Sequence, residues 1–457
     1  MNRLVPEKKN ILIYIIILSI MLVLAIWMKN ISIKAQWQEA GLVNFSLGFV
    51  LLGAYAAAQM LKNFKLPLIS GYIFSGIIAG PYVTSFLDFN MVEQLSLVND
   101  LALSFIAMTA GGELKLQSLK ERAGAISLNI VLHSAVVFGV VFFFIFFTSQ
   151  YFNITRNLTP SQIIVFAMLL GVIAIARSPS SAIAIIREYR ASGPFTETVL
   201  GVTVAIDVLI IVLFTIALSI ARFILSSGSD IDYQTFAALF SEIGVSFIIG
   251  ALTGKFIAYY IRASANHLGL FLLFLAFGIT RSCMAFNGFM EYQFNVHLNL
   301  EPLLICMCAG FTVQNFSKQG LEFNQSLEKT SLPVFLLFFT IAGAALNLKS
   351  LAVCWPMAVC LFFVRAAGIF IAVFMAGVVI KEPLTHKKYG WMAYLTQAGV
   401  AIGLAQLAQR HSSEIGIYLT TVVLAVITIN QVIGPVTFKT ALNLAGEIRK
   451  NDREPAA

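Results

Sequence analysis

The sequence predicts an all-α polytopic membrane protein of about 14 transmembrane helices, arranged as two six-helix repeats of opposite topology. Three observations carry that expectation. Hydrophobic residues make up 59% of the 457 and charged residues only 11%, with a mean hydropathy of +0.86, whereas roughly a quarter of a soluble domain is charged. Apolar runs of about 17–25 residues, the length that crosses a bilayer, recur along the whole chain with charges gathered between them. A ten-residue motif of the first half returns in the second.

In chain order the spans fall near 11–28, 42–60, 67–86, 97–113, 124–148, 162–186, 196–221, 236–254, 268–290, 300–316, 331–346, 351–379, 390–409 and 413–438. The first follows Lys8 and Lys9 as a signal peptide would. Its 18 residues are long for such a segment and no small-residue cleavage site follows, so it reads as a retained extra helix within 1–41. With the N-terminus inside, 21 of the 30 Lys and Arg residues fall in inside segments, 7 fall outside, and Arg177 and Arg365 lie within spans. Basic residues concentrate in cytoplasmic loops, so both termini are expected there and the span count should be even. The +8 net charge then reflects loops facing anionic lipid and requires no nucleic acid. Cys283, Cys306, Cys308, Cys354 and Cys360 all sit in spans without zinc or redox spacing, and read as packing residues. The tail 441–457 is expected to be short and cytoplasmic, with no soluble regulatory domain.

The repeat organises these spans. "AGGELKLQSL" from Ala110 aligns with "AGAALNLKSL" from Ala342, and "AGPYV" from Ala79 aligns with "AGFTV" from Ala309. Together they pair a first repeat, 42–224, with a second, 268–440, across a linker helix in 225–267. Two six-helix units separated by one helix have opposite topology, which is the architecture of secondary transporters with a substrate site near the bilayer midplane.

Among the 22 carboxylates, Asp207 alone lies deep within a span, in "GVTVAIDVLIIVLF". A charge at that depth costs about 2.5–3.5 kcal/mol on insertion scales and marks an ion or proton pathway by default. The preceding span, "GVIAIARSPSSAIAII", holds Pro179 at its centre, and proline breaks a helix by removing a donor. Freed carbonyls and the hydroxyls of Ser178, Ser180 and Ser181 are groups with which discontinuous transporter helices bind cations. Thr203 precedes Asp207 by one helical turn on the same face. Burial raises a carboxyl's pKa and an adjacent cation lowers it, so a buried aspartate can exchange H⁺ for a metal ion, with Asp207 as the metal ligand. His133, in an apolar helix, could sense pH or simply pack. No phosphate-binding glycine loop or catalytic triad is present, so an enzyme is not expected.

"LPLISGYIFSGIIAGP", the glycine-ended fourth span, "ARSPSSAIAIIREYRASGPFTETVLGVTVAIDVLIIVLF", Arg365 in "VRAAG" and "LTQAGVAIGLA" resemble the monovalent cation/proton antiporter superfamily, whose members include sodium/proton exchangers. The resemblance runs from about Leu42 to Lys439. It implies a sodium/proton antiporter-like fold with crossed broken helices, a mobile core and a scaffold domain, homodimerisation through the scaffold, and elevator-type alternating access. By resemblance Asp207 matches the ion- and proton-binding aspartate and Arg365 the basic residue on the partner-repeat helix. The second broken helix is matched by Thr396 to Gly403, with Thr396, Gln397 and Gly399 among its residues. The implied substrates are a monovalent cation, Na⁺ or K⁺, and H⁺, with no cofactor. The absence of an organelle-targeting presequence and the small extramembrane fraction point to a bacterial inner membrane as the expected location.

Two features depart from that pattern. Ile206 precedes Asp207 where electrogenic members carry a second acidic residue and many electroneutral ones an asparagine. A single carboxylate predicts one cation per proton, hence electroneutral exchange. Arg177 stands immediately before Ser178-Pro179; it could snorkel to an interface or pair with Asp207. Such a pair would lock the site, and the chain would then be a transporter-like sensor or complex subunit.

Overall fold

The computed structural model describes residues 39–64, 66–225, 233–263, 267–294, 300–397, 399–411 and 413–448. The extra span expected at 11–28 lies outside the described residues. All regular structure among the described residues is helical. The first repeat contributes α1 (Glu39–Lys62), α2 (Leu68–Ala79), α3 (Phe89–Gln94), α4 (Ser96–Glu113), α5 (Leu116–Glu121), α6 (Ala123–Leu132) and α7 (Phe138–Thr148). It continues with α8 (Pro160–Ile175), α9 (Pro179–Glu188) and α10 (Pro194–Leu225). The linker is α11 (Tyr233–Ala263). The second repeat holds α12 (Leu268–Phe294), α13 (Pro302–Phe316), α14 (Gly320–Ala344), α15 (Leu348–Val379), α16 (Leu384–Tyr389), α17 (Gly399–His411) and α18 (Ser413–Ala445). Every span expected from residue 42 onward has its helix. Nine stretches among the described residues are long and apolar enough to cross a membrane, and three apolar helices are shorter.

Local chemistry sets many of the boundaries. Thr159 and Gln162 form a reciprocal capping box at the start of α8, with Pro160 in the first turn where its missing N–H costs nothing. Ser178 caps α9 ahead of Pro179, Asp88 caps α3 and Asn347 caps α15. Between α6 and α7 the helix loosens into a π turn, His133–Val137, which packs against α15. In each repeat the fifth span is the broken one. The α8–α9 span opens at 176–178. In the second repeat a 3₁₀ segment, Gly390–Tyr394, is followed by residues 395–397 without regular structure, ahead of α17.

The chain divides into two compact units that cut across the sequence repeats. Of the described residues, one contains those from Glu39 up to Ile106 together with Glu328–Leu346. Its core gathers Val43 and Val50 of α1, Leu87, Met91, Leu95, and Ile341 and Ala344 of α14. There α2 crosses α14 at glycines: a Cβ on Gly76 would strike the Thr340 carbonyl, and one on Gly343 would strike the Ile73 carbonyl. The other unit contains the described residues of Ala107–Leu327 and those from Asn347 onward. Within it α4 crosses α13 in the same manner, Gly111 against the Met307 carbonyl and Gly310 against the Met108 carbonyl. The two crossings exchange roles between repeats. In one the second span of the first repeat meets the third of the second; in the other the third span of the first meets the second of the second. The motifs "AGG" at 110–112, "AGF" at 309–311 and "AGA" at 342–344 thus supply glycines to these crossings. Lipid gives helices no hydrophobic reason to associate, so close backbone approach at small residues is what packs them.

Replacing Gly310 or Gly343 by leucine is expected to destabilise the protein by about 1–3 kcal/mol or more, since backbone atoms and not flexible side chains occupy the space. Thermal unfolding in detergent should show both variants melting several degrees below wild type. Gly139→Ala, whose new Cβ meets nothing within 4 Å, should melt at or slightly above it.

Candidate functional site

All the expected site residues belong to the larger unit. Breaking α8 from α9 strips helical partners from carbonyls near the end of α8, and the second break does the same before α17. Buried polar groups left unpaired in such a place cost about 1–3 kcal/mol each. One side chain resolves most of this. Arg365, reaching in from α15 and 1% exposed, donates from Nε to the Ala174 carbonyl at 2.8 Å and from Nη2 to Ala176 at 2.9 Å. It also donates from Nη1 to Leu395 at 2.9 Å and from Nη2 to Tyr394 at 3.4 Å. A planar fork of donors is suited to several acceptors in one plane, which a lysine would not satisfy. Arg365 therefore staples both broken segments together through their backbones.

Further donors complete the crossover. Gln397 Nε2 donates to the Ile173 carbonyl at 2.9 Å, and its Oε1 accepts from Asn430 Nδ2 of α18 at 3.0 Å. Thr396 is buried and packs its methyl against Gly434 of α18, while Gly399 opens α17. Arg177 donates from Nη1 to the Tyr394 carbonyl at 2.9 Å, and its guanidinium lies over the Tyr394 ring, 5.6 Å from the centroid. His133 meets that ring edge-on at 4.7 Å, and its Nδ1 lies 2.7 Å from the Asn129 carbonyl. Among the described residues no ion pair within 4 Å joins Arg177 to Asp207.

Asp207 rides on α10, an uninterrupted helix that packs against α8, α9 and α17. It is partly exposed, yet its Oδ1 is enclosed and has no hydrogen-bond partner among the described residues. Thr203, one turn earlier, is buried. Ser178, Ser180 and Ser181 are buried at the start of α9 and bond to one another: Ser178 Oγ lies 3.1 Å from Ser180 Oγ and donates to Ser181 Oγ at 2.9 Å. No hydrogen bond joins these hydroxyls or Thr203 to Asp207. The arrangement sets an open carboxylate oxygen on a helix that packs against a hydroxyl-rich helix start, with the arginines engaged by carbonyls. Chemically it can take up a proton or a hard cation at the carboxylate.

The sequence reading missed Asn430 and Tyr394. Asn430 carried a usable signal, an amide beside Gln431 in the apolar run "VLAVITINQVIGPV". Tyr394 contributes a carbonyl and a ring face, and neither leaves a trace in residue pattern.

Arg365→Lys should fail as a substitute, because one ammonium cannot reach four carbonyls on two segments. Expected outcomes are a melting temperature lowered as by about 3 kcal/mol or more, counting roughly 1–3 kcal/mol for each carbonyl orphaned, and a collapse of any cation-dependent thermal shift.

Three comparisons bear on kinship. Among solved structures, the sodium proton antiporter MjNhaP1 from Methanocaldococcus jannaschii at pH 8 superposes with a TM-score of 0.65 at 16% identity, covering 90% of this chain and 99% of the other. Coordinates of the same antiporter from an electron-microscopy map give 0.66 at 15% identity, covering 92% and 100%; at such identities the likeness speaks for the fold. A "Probable Na(+)/H(+) antiporter 3" of Methanocaldococcus jannaschii is 23% identical over 309 residues, which is 66% of this chain and 71% of that protein. The family described as "Sodium/hydrogen exchanger, transmembrane" matches residues 47–443, nearly the whole helical region. The chain belongs to the sodium/hydrogen exchanger family, a family of transporters and not of enzymes.

Proposed function

We propose that the protein is a secondary active antiporter exchanging a monovalent cation, Na⁺ or K⁺, for H⁺, with Asp207 binding each in turn. The observation that carries this is the enclosed, unpartnered Oδ1 of Asp207 on a helix packed against both halves of a broken span. A bare carboxylate in low dielectric is costly, so the site crosses the membrane only when a proton or cation neutralises it. Exclusive occupancy of one carboxylate then makes the exchange obligatory. One titratable carboxylate at this point supports one cation per proton, an electroneutral cycle. Membership of the exchanger family supports elevator-type alternating access, a homodimer and a cell membrane, taken as a bacterial inner membrane with both termini cytoplasmic.

The locked reading is disfavoured because, among the described residues, no ion pair within 4 Å joins Arg177 to Asp207. Arg177 bonds through Nη1 to the Tyr394 carbonyl and lies over the Tyr394 ring, while its Nε and Nη2 have no hydrogen-bond partner among the described residues. Ser178, Ser180, Ser181 and Thr203 remain the proposed oxygen donors to the bound cation, and Arg365 and Arg177 the positive charges that hold the crossed segments.

The test is transport in proteoliposomes, with internal pH followed by a fluorescent dye while Na⁺, Li⁺ or K⁺ is added outside. Wild type should expel protons in response to at least one cation, and the rate should be unchanged when a potassium–valinomycin clamp sets the membrane potential. Asp207→Asn should lower the rate at least a hundredfold, and Arg177→Ala should not raise it. Silence of the wild type with every cation, with activity appearing in Arg177→Ala, would sink the antiporter reading in favour of the lock.

A further inference from the structure

The amino end of the helix that carries Asp207 lacks a capping side chain of its own, because the residue before Pro194 is Gly193. A carboxylate from the far end of the chain does that work. Glu447, just past α18, accepts from the Phe195 amide at 2.8 Å through Oε1. Through Oε2 it accepts from the Thr196 amide at 2.7 Å and the Thr196 hydroxyl at 2.6 Å. Its backbone carbonyl accepts from the Ser192 amide at 3.1 Å. Four bonds thus join residues about 250 positions apart in sequence, at a helix start whose partial positive charge favours an anion.

Both sides of the contact are shaped for it. α18 ends in a Schellman turn, with Gly446 N–H bonding to Asn443 at 3.1 Å and Glu447 N–H bonding to Leu442 at 3.2 Å. That turn needs the positive φ of 74° which Gly446 supplies. On the receiving side Gly193 has φ 153°, and a Cβ there would collide with the Glu447 carboxyl carbon. One glycine aims the carboxylate and the other admits it. The same α18 reaches the crossover through Asn430, which holds Gln397. It therefore touches the ion-site neighbourhood at two places, the second broken segment and the start of the Asp207 helix.

We infer that Glu447 is a positioning residue for ion binding: it fixes α10 along its axis against α18, and so fixes Asp207 relative to the crossed segments. α10 runs without a break from the capped turn to Asp207, about 16 Å at 1.5 Å per residue, so a shift at Thr196 is delivered to the carboxylate. Other contacts touch the same turn. Arg122 and Glu197, with side chains 25% and 43% exposed, approach at 3.5 Å, and the Phe195 ring lies 5.1 Å from that of His386. Glu447 lies just beyond the segment that the exchanger family matches, residues 47–443. The contact is accordingly a property read from this chain.

This inference rests on the antiporter reading, and the experiment separates the two. Cation-dependent proton flux of the full chain in proteoliposomes is measured over a cation titration for wild type, Glu447→Ala, Glu447→Gln and Gly193→Ala, with melting temperature followed in parallel. Misplaced binding geometry costs far more affinity than its distance suggests. We expect Glu447→Ala and Gly193→Ala to raise the half-saturating cation concentration by about 3- to 10-fold. Maximal flux should stay within about twofold, and Glu447→Gln, which keeps one strong acceptor, should lie between. Wild-type half-saturation in both alanine variants overturns the inference and leaves the antiporter reading standing. Loss of maximal flux in step with melting temperature at unchanged half-saturation also overturns it, because a purely structural tie would act that way. A wild type silent toward every cation sinks the antiporter reading itself, and this role with it.

Discussion

The structure around the candidate site depends on the pairing of freed backbone carbonyls at membrane depth. Two spans are interrupted where water cannot solvate what the interruption exposes, and each unpaired carbonyl would cost on the order of 1–3 kcal/mol. Arg365 supplies four of the missing donor contacts, across segments separated by about 220 residues. Gln397 supplies another at Ile173 and Arg177 another at Tyr394. The guanidinium charge is itself expensive to bury, and carbonyl dipoles on several sides compensate it. The breaks and the arginines are therefore mutually necessary: each would be a liability without the other.

Asp207 sits outside that economy. Arg365 directs its donors to backbone, Arg177 bonds to backbone through Nη1 alone, and the carboxylate keeps an oxygen without a hydrogen-bond partner among the described residues. Had Arg177 paired with it, the charge would have been satisfied internally and a mobile cation would have had nothing to gain. The glycine crossings provide the complementary rigidity. At Gly111 and Gly310 in one unit, and at Gly76 and Gly343 in the other, backbones approach so closely that no side chain fits. Stiffness is thus concentrated in the helix crossings.

How much of this was legible follows from what each residue type does alone. Asp207 and Arg365 announced themselves because a charge in an apolar run is costly wherever it ends up. Pro179 announced the first break because it lacks a donor in any context. The repeated glycine motifs announced the inverted topology, and the crossings explain why those small residues are there. The roles of Arg177, Tyr394 and Asn430 were not legible, since each is defined by a contact to an element far away in sequence, in two cases through a carbonyl that every residue possesses. Glu447 was hidden for the same reason, as its partners are the backbone amides and a hydroxyl of a distant helix start. The proline and serines place the hydroxyls at the start of α9, but their bonding to one another could not be read from their spacing.

The two breaks also differ in how they are written into the chain. The first carries its own instructions, a serine cap followed by a proline. The second, through "YLTQAGVA", has no proline; its nearest are Pro383 and Pro435. Its opened form is held by donors from other helices, and one of its own side chains anchors to Ile173 of the first break. Because synthesis delivers the N-terminal half first, the locally encoded break exists before the other is made. The carbonyls it frees at Ile173, Ala174 and Ala176 gain their donors, Gln397 and Arg365, only when the second half follows.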